Sequence, residues 1–249
     1  MTSRVMVVTG AGRGIGAAIA ELAGKRGYAV CVNYARSRDA AETLAAGINS
    51  RGGKAVAIQA DVSVDAEAKR LFADVDRALG RVDVLVNNAG IIGRQCRVDE
   101  MDPKLLADVF AANTYSVFWC TREALLRMST KHGGRGGAIV NISSVASRTG
   151  GLAKESHYAA SKGAVDSFTI GLAKEIGNEG VRVNAVRPGM IVTAIHDVHG
   201  GEATIKAVAP TVPIGREGMP AEVAEAVLWL ASDAASYLHG AIVDVSGGR

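Results

Sequence analysis

Tyr158 and Lys162 stand four residues apart in Tyr-Ala-Ala-Ser-Lys. On a helix that spacing puts both side chains on one face, where a phenol and an ammonium can approach each other. A free tyrosine, with a pKa of about 10, exchanges its proton poorly at neutral pH, and a fixed positive charge favours the phenolate. At about 4 Å and an effective dielectric of about 20, the attraction is on the order of 4 kcal/mol, roughly three pKa units. A phenol lowered that far works as a general acid/base. An isolated Tyr-x-x-x-Lys is usually an ordinary exposed pair, so the assignment depends on the company it keeps.

The elements that must position the pair can be read from apolar patterning. Short, nearly continuous apolar runs at Val5–Thr9, Ala29–Asn33, Ala55–Gln59, Val82–Asn87, Ala138–Ile142, Val181–Arg187 and Ile242–Val245 predict strands buried on both faces. Helical patterns lie between them, at about 14–26, 38–51, 65–79, 103–130, 157–178 and 221–232. Strand and helix in alternation predict an α/β fold, a doubly wound parallel sheet with helices on both faces. A length of 249 residues, 30 of them Gly, with no repeat or linker, suits one domain over 1–249.

Composition narrows the function. A formal charge of +3, with no basic stripe among aromatics, argues against a nucleic-acid partner. Cys31, Cys96 and Cys120 lie apart in apolar surroundings and read as reduced core residues. The N-terminal apolar run is too short for a signal or a membrane span, so a cytoplasmic protein is expected. His196 and His199 invite a zinc reading, but no further ligand set has suitable spacing, and no metal is expected. Leu228 and Trp229 read as core, and Lys131, Arg135 and Lys174 as a solvated face.

The first strand runs into Gly10-Ala11-Gly12-Arg13-Gly14-Ile15-Gly16. Glycines there let backbone approach a pyrophosphate, whose charge sits against the free N–H groups of a helix start. At the end of the second strand an acid would bind the adenosine ribose of NAD, whereas arginine suits the extra phosphate of NADP. The chain there reads Asn33-Tyr34-Ala35-Arg36-Ser37-Arg38, with no acid before Asp39. Arg36 and Arg38, with Arg13 in the glycine turn, favour NADP(H) over NAD.

Together these features resemble the short-chain dehydrogenase/reductase family in its single-domain form. The motifs appear in order over the whole chain: the glycine turn, Asp61-Val62, Asn87-Asn88-Ala89-Gly90, Asn113, Ser143-Ser144, Tyr158 with Lys162, and Pro188-Gly189 with Thr193. The resemblance implies strand order 3-2-1-4-5-6-7 and a homo-oligomer, tetramer or dimer, paired through the helices near 103–130 and 157–178. It makes Tyr158 the proton donor and acceptor, and Lys162 its pKa-lowering partner and a ligand of the nicotinamide ribose. Ser144 would hold the substrate oxygen, with Ser143 the alternative, and Asn113 would position water and the lysine. Gly10, Gly14 and Gly16 would line the pyrophosphate, with Ile15 and Arg13 beside them and Asn33, Tyr34 and Arg36 around the adenosine ribose. Asp61 and Val62 would flank the adenine. Asn87, Ala89 and Gly90 would form the floor under the ribose, and Pro188, Gly189, Ile191 and Thr193 would touch the carboxamide and pyrophosphate. A substrate lid would follow at about 194–216.

The implied activity is hydride transfer between a nicotinamide and a carbonyl or alcohol carbon, coupled to proton transfer through Tyr158. The substrate is a small carbonyl or alcohol, and a sugar, steroid, aldehyde or ketoacyl compound all remain open. Two other readings stand beside it: an NADP-sensing protein without catalysis, and an NAD-dependent sugar or alcohol dehydrogenase. The first would predict a broken active site, whereas Ser144, Tyr158 and Lys162 are all present.

Overall fold

Seven strands form one parallel sheet in a computed structural model that describes residues 3–195 and 200–249. They are β1 (Val5–Val8), β2 (Ala29–Tyr34), β3 (Lys54–Gln59), β4 (Val82–Asn87), β5 (Gly137–Ile142), β6 (Val181–Pro188) and β7 (Ile242–Val245). Their order is β3-β2-β1-β4-β5-β6-β7, as expected. All four residues of β1 are buried, because helices cover both faces of the sheet. One layer packs α1 (Gly14–Lys25), α2 (Arg38–Ser50) and α9 (Pro220–Ala231) on Met6, Val8, Val30 and Val84. The other packs α3 (Asp65–Ala78), α5 (Ser116–Met128) and α7 (Ser156–Glu175) on Val5, Val7, Leu85 and Ile139. Leu71 and Phe72 of α3 are fully buried there, and each contributes roughly 1.5–3 kcal/mol by leaving water.

The expected helix over 103–130 is broken into three parts. α4 (Pro103–Phe110) is followed by one π turn, Ala111–Tyr115, before α5. The extra residue of a π turn shifts side-chain phase locally, and such turns gather at functional sites. Here the shift turns Asn113 fully inward. Two short helices fall outside the sequence expectation: α6 (Ala146–Thr149), after β5, and α8 (Glu202–Val208), in the segment expected to be a lid.

Trp229 corrects the reading of α9. Leu228 is buried, but Trp229 is 43% exposed. Four apolar residues in a row sweep a full turn, so one of them must face away from the sheet. Cys31, Cys96 and Cys120 are all buried and unpaired.

The sheet order reverses about β1, whose neighbours β2 and β4 leave in opposite directions. A crevice opens at such a point beyond the carboxyl ends of the strands. The glycine turn after β1 and Asn88-Ala89-Gly90 after β4 line it.

Candidate active site

The cleft encloses about 670 Å³. At one end lies the glycine turn, with Gly10 at φ 60° and Gly14 at φ 58°, a left-handed backbone that glycine adopts without strain. A Cβ on Gly10 would lie 3.0 Å from the Ala89 Cα, so glycine lets the turn close on β4. Arg13, the residue before α1, is extended and its side chain makes no cap. The first N–H groups of α1, from Gly14 and Ile15, therefore reach the cleft without a side-chain acceptor. Such unpaired donors attract an anion. On that observation the residues fit a dinucleotide pyrophosphate.

Gly16 departs from expectation. It is buried and does not line the cleft. A Cβ there would meet the Asn88 Nδ2 at 2.5 Å and the Gly10 oxygen at 2.7 Å. Its role is to let α1 seat against the turn.

Asn33, Tyr34, Arg36, Asp61 and Val62, the residues expected around an adenosine, all line the cleft. The Asn33 amide is committed to the protein: it donates to Ile58 O (3.2 Å) and Ala60 O (3.1 Å), and its oxygen accepts from Gly10 N (3.2 Å). Asn33 thus anchors the glycine turn to β2 and β3. Arg13 and Arg36 are exposed and lack an ion-pair partner among the described residues. Arg38 does not belong with them. It points along α2 to Glu42 at 2.8 Å and stays outside the cleft.

Asn87 is a second correction. Its Nδ2 donates to Asn141 Oδ1 (2.9 Å) and Thr121 Oγ1 (3.2 Å), inside the protein. Successive residues of a strand point to opposite faces, and the cleft receives Asn88 instead. Asn88 Nδ2 donates to Thr9 O (2.9 Å) and Gly10 O (3.1 Å), tying β4 to the glycine turn. Ala89 and Gly90 line the cleft. Behind Gly90, Asn113 pairs with the Ile91 backbone in both directions, accepting its N–H (2.8 Å) and donating to its C=O (2.8 Å). It also donates to Ser161 Oγ at 2.9 Å. Asn113 therefore shapes the floor, and a Cβ on Gly90 would press 2.9 Å from its oxygen and 3.4 Å from the Lys162 Nζ.

Tyr158 and Lys162 lie on one face of α7, both turned to the sheet and both lining the cleft. Ser144 lines the cleft beside Tyr158 and favours the ionised form of its phenol, and its hydroxyl accepts from Ala146 N at 3.1 Å. Ser143 is turned away: its hydroxyl donates to Lys162 O at 3.2 Å, and it is buried. The geometry thus favours Ser144 over Ser143. Lys162 Nζ donates to Ile142 O at 2.8 Å and stands 6.0 Å from the centre of the Tyr158 ring. Pro188, Gly189, Ile191 and Thr193 close the cleft on the β6 side.

The electrostatics differ from the expected lowering of the phenol. Burial pushes Tyr158 up to about 12, the Ser144 hydroxyl opposing and the Glu155 charge reinforcing. Burial pushes Lys162 down to about 8, against the attraction of Asp166. As pH rises, the ammonium loses its proton before the phenol does; at neutral pH Lys162 still carries its charge. Both shifts follow from loss of water around the charged forms. Without a bound cofactor, Tyr158 is a protonated donor at neutral pH.

Several contributors escaped the sequence reading. Gly12, read only as part of the glycine turn, itself lines the cleft, and a Cβ there would lie 3.2 Å from the Ser37 Cβ. Asn88 could have been found only by strand parity. Glu155, three residues before Tyr158 and so on its helix face, lines the cleft and is 3% exposed. His196 and His199 lie outside the described residues, and among those described no group of side chains could hold a metal ion.

A family model described as enoyl-(acyl carrier protein) reductase matches residues 10–249. The chain is 44% identical over 245 residues to an uncharacterized oxidoreductase, YgfF, of Escherichia coli K12, covering 98% of this chain and 99% of that one. It is 38% identical over 259 residues to versicolorin reductase 1 of Aspergillus parasiticus, with 100% and 97% covered. It is likewise 38% identical over 242 residues to 3-oxoacyl-(acyl-carrier-protein) reductase FabG of Staphylococcus aureus, with 97% and 96% covered.

Proposed function

We propose, from the premise that this chain belongs to the short-chain dehydrogenase/reductase family and is an NAD(P)-dependent oxidoreductase, that it is an NADP(H)-dependent carbonyl reductase with Tyr158 as its general acid. The observation that carries this reading is that Tyr158, Ser144 and Lys162 line one end of a cleft whose other end offers helix N–H groups without a side-chain acceptor and two arginines without an ion-pair partner among the described residues. Arg13 and Arg36 would hold the phosphate of NADP(H), glycine-turn N–H groups the pyrophosphate, and Lys162 the nicotinamide ribose. When bound there, the cofactor would supply the hydride for the carbonyl carbon.

The protein manages the proton. The Ser144 hydroxyl orients the substrate oxygen beside the phenol, and the Tyr158 hydroxyl gives its proton to that oxygen as the carbonyl becomes an alcohol. A phenol held up at about 12 is a donor over the whole neutral range, which suits reduction. The phenolate left behind is stabilised by the Ser144 hydroxyl and, below about pH 8, by a charged Lys162, and it recovers its proton from solvent. Two of the relatives are named reductases, which favours this direction.

The described part of the segment about 194–216 would act as the lid over the substrate. Exposed Leu106, Tyr115, Phe118, Leu126 and Ile170 on α4, the π turn, α5 and α7 support a homo-oligomer paired through these helices. No described helix is long and apolar enough to cross a membrane, and three unpaired thiols suit the cytoplasm.

The test is a panel of carbonyls followed by absorbance with NADPH and with NADH. Wild type is expected to prefer NADPH, and Arg13→Ala with Arg36→Ala to lose roughly tenfold or more in NADPH affinity while NADH binding holds. Each exposed charge pair is worth about 1 kcal/mol, so two arginines give about that factor. Equal losses for both cofactors would refute the phosphate assignment.

A further inference from the structure

Asp166 continues the row that begins with Tyr158 and Lys162: each stands four residues after the last on α7, so the three share one face. Side chains on a helix lean toward its N-terminus, which tilts Asp166 toward Lys162. Lys162 is 4% exposed and Asp166 6%, and charges so far from water act on each other with little screening. The ammonium gives its hydrogen bond to Ile142 O at 2.8 Å, so the carboxylate acts on it through space.

Arg187 of β6 holds that carboxylate unequally. It donates from Nε at 2.9 Å and from Nη2 at 2.8 Å, and both bonds land on Oδ2. Oδ1 is buried and has no hydrogen bond among the described residues. An arginine fork usually takes one oxygen with each nitrogen, and a buried carboxylate oxygen left out of it calls for a reason. The charge of Arg187 is itself shared. Its Nη1 lies 3.6 Å from Asp244 Oδ1 on β7, and Asp244 Oδ2 accepts from Arg148 Nε of α6 at 3.1 Å. Asp166, Arg187, Asp244 and Arg148 thus form a row of alternating charge across β6 and β7, with a carboxylate at the lysine end.

Burial lowers Lys162, and the charge of Asp166 opposes that. Other titratable groups line the same cleft: Tyr158, Glu155, whose charge raises Tyr158, and Lys104 and Asp108 of α4, which pair at 2.6 Å. Asn113 of the π turn is neutral. We propose that Asp166 is a positioning residue for the proton step: its charge, tuned by the fork from Arg187, keeps Lys162 an ammonium beside Tyr158 and so sets the upper pH limit of the site. The proton step belongs to the reductase reading and rests on it, whereas the coupling of Asp166 to Lys162 does not.

Lysine labelled with 13C at Cε reports the ammonium directly by NMR in cofactor-free protein, with Lys162 assigned by its loss in Lys162→Met. Wild type is expected to titrate at about 8. Attraction across one helical turn, at an effective dielectric of about 20, moves an ammonium by roughly one to two pH units, and the Arg187 fork offsets part of it. Asp166→Asn should therefore titrate about one unit lower, with Arg187 left partly uncompensated beside Lys162. Asp166→Asn with Arg187→Gln removes both charges and should fall between the single variant and wild type, a recovery that a merely structural role would not give. Should the unpaired Arg187 keep the single variant from folding, the double variant must still titrate below wild type. The alkaline limb of kcat/KM, with NADPH and the best carbonyl of the panel, should move with these midpoints. Midpoints that shift as stated in a protein that reduces no carbonyl would uphold the coupling and refute the reductase reading. Midpoints within about 0.3 of wild type in the folded variants, a double variant no higher than the single one, or an alkaline limb that stays while the midpoints move would overturn the proposal.

Discussion

Replacing Asn113 by alanine tests how the cleft floor is held. The wild-type side chain is fully buried and satisfies both polar groups of the Ile91 backbone at 2.8 Å, with a third bond to Ser161. Alanine leaves the Ile91 N–H and C=O unpaired. The Ile91 groups are only part-buried beside the cleft, so each orphan costs about 1 kcal/mol and the pair, with the cavity left by the amide, about 3 kcal/mol. With a urea slope of about 3 kcal/mol per M, the midpoint falls by about 1 M. Asn113→Asp should be at least as harmful at neutral pH. It keeps the acceptor but turns an oxygen toward the Ile91 carbonyl, and the Ser161 hydroxyl is already donating to Tyr158 O at 2.7 Å. Urea unfolding followed by fluorescence measures both variants, and turnover with NADPH should fall in parallel as Gly90 and Ile91 shift. A loss below about 1 kcal/mol in Asn113→Ala would refute the claim that this side chain, rather than the packing around it, holds the floor.

Gly16→Ala is expected to cost at least tenfold in NADPH affinity, measured by cofactor fluorescence. Its stability should change by less than about 2 kcal/mol, because overpacking of about 1–3 kcal/mol is partly offset by the helix preference of alanine. A folded-state Lys162 near 8, below its ordinary 10.5, means the unfolded chain binds more protons between those values. Stability should therefore rise from about pH 8 to about pH 10, by up to about 3 kcal/mol. Above about pH 10 the raised Tyr158 acts in the opposite sense, losing stability as the unfolded phenol ionises first. Urea unfolding across this range should flatten between pH 8 and 10 in Lys162→Met; a flat wild-type curve would contradict the buried lysine.

Much of the scaffold could be read before any coordinates, for a physical reason. A strand buried on both faces needs a nearly unbroken apolar run, so β4 matches its expected bounds and β1 differs by one residue; the half-buried edge strand β7 also matches, marked by its β-branched Ile242, Val243 and Val245. Helix phase was less visible. Nothing in the residues 103–130 marks a π turn, yet that single extra residue decides where Asn113 points. Adjacent identical residues hid strand parity, which placed Asn87 inside the protein and Asn88 in the cleft. Charge was the least legible property. The spacing of Tyr158 and Lys162 gives proximity, but burial, which depends on the whole fold, raises the phenol and lowers the amine. Glu155 was missed for the same reason: a lone acid reads as surface until its surroundings are known.

The most direct measurement is the rate of NADPH consumption by Tyr158→Phe against its affinity for NADPH. Phenylalanine keeps the ring and removes the hydroxyl beside Ser144. Affinity is expected to stay within about twofold of wild type while turnover of any accepted carbonyl falls by about 10²–10⁴, the range of general acid catalysis. A variant that reduces the same carbonyls at the wild-type rate would contradict the assignment of the proton to Tyr158.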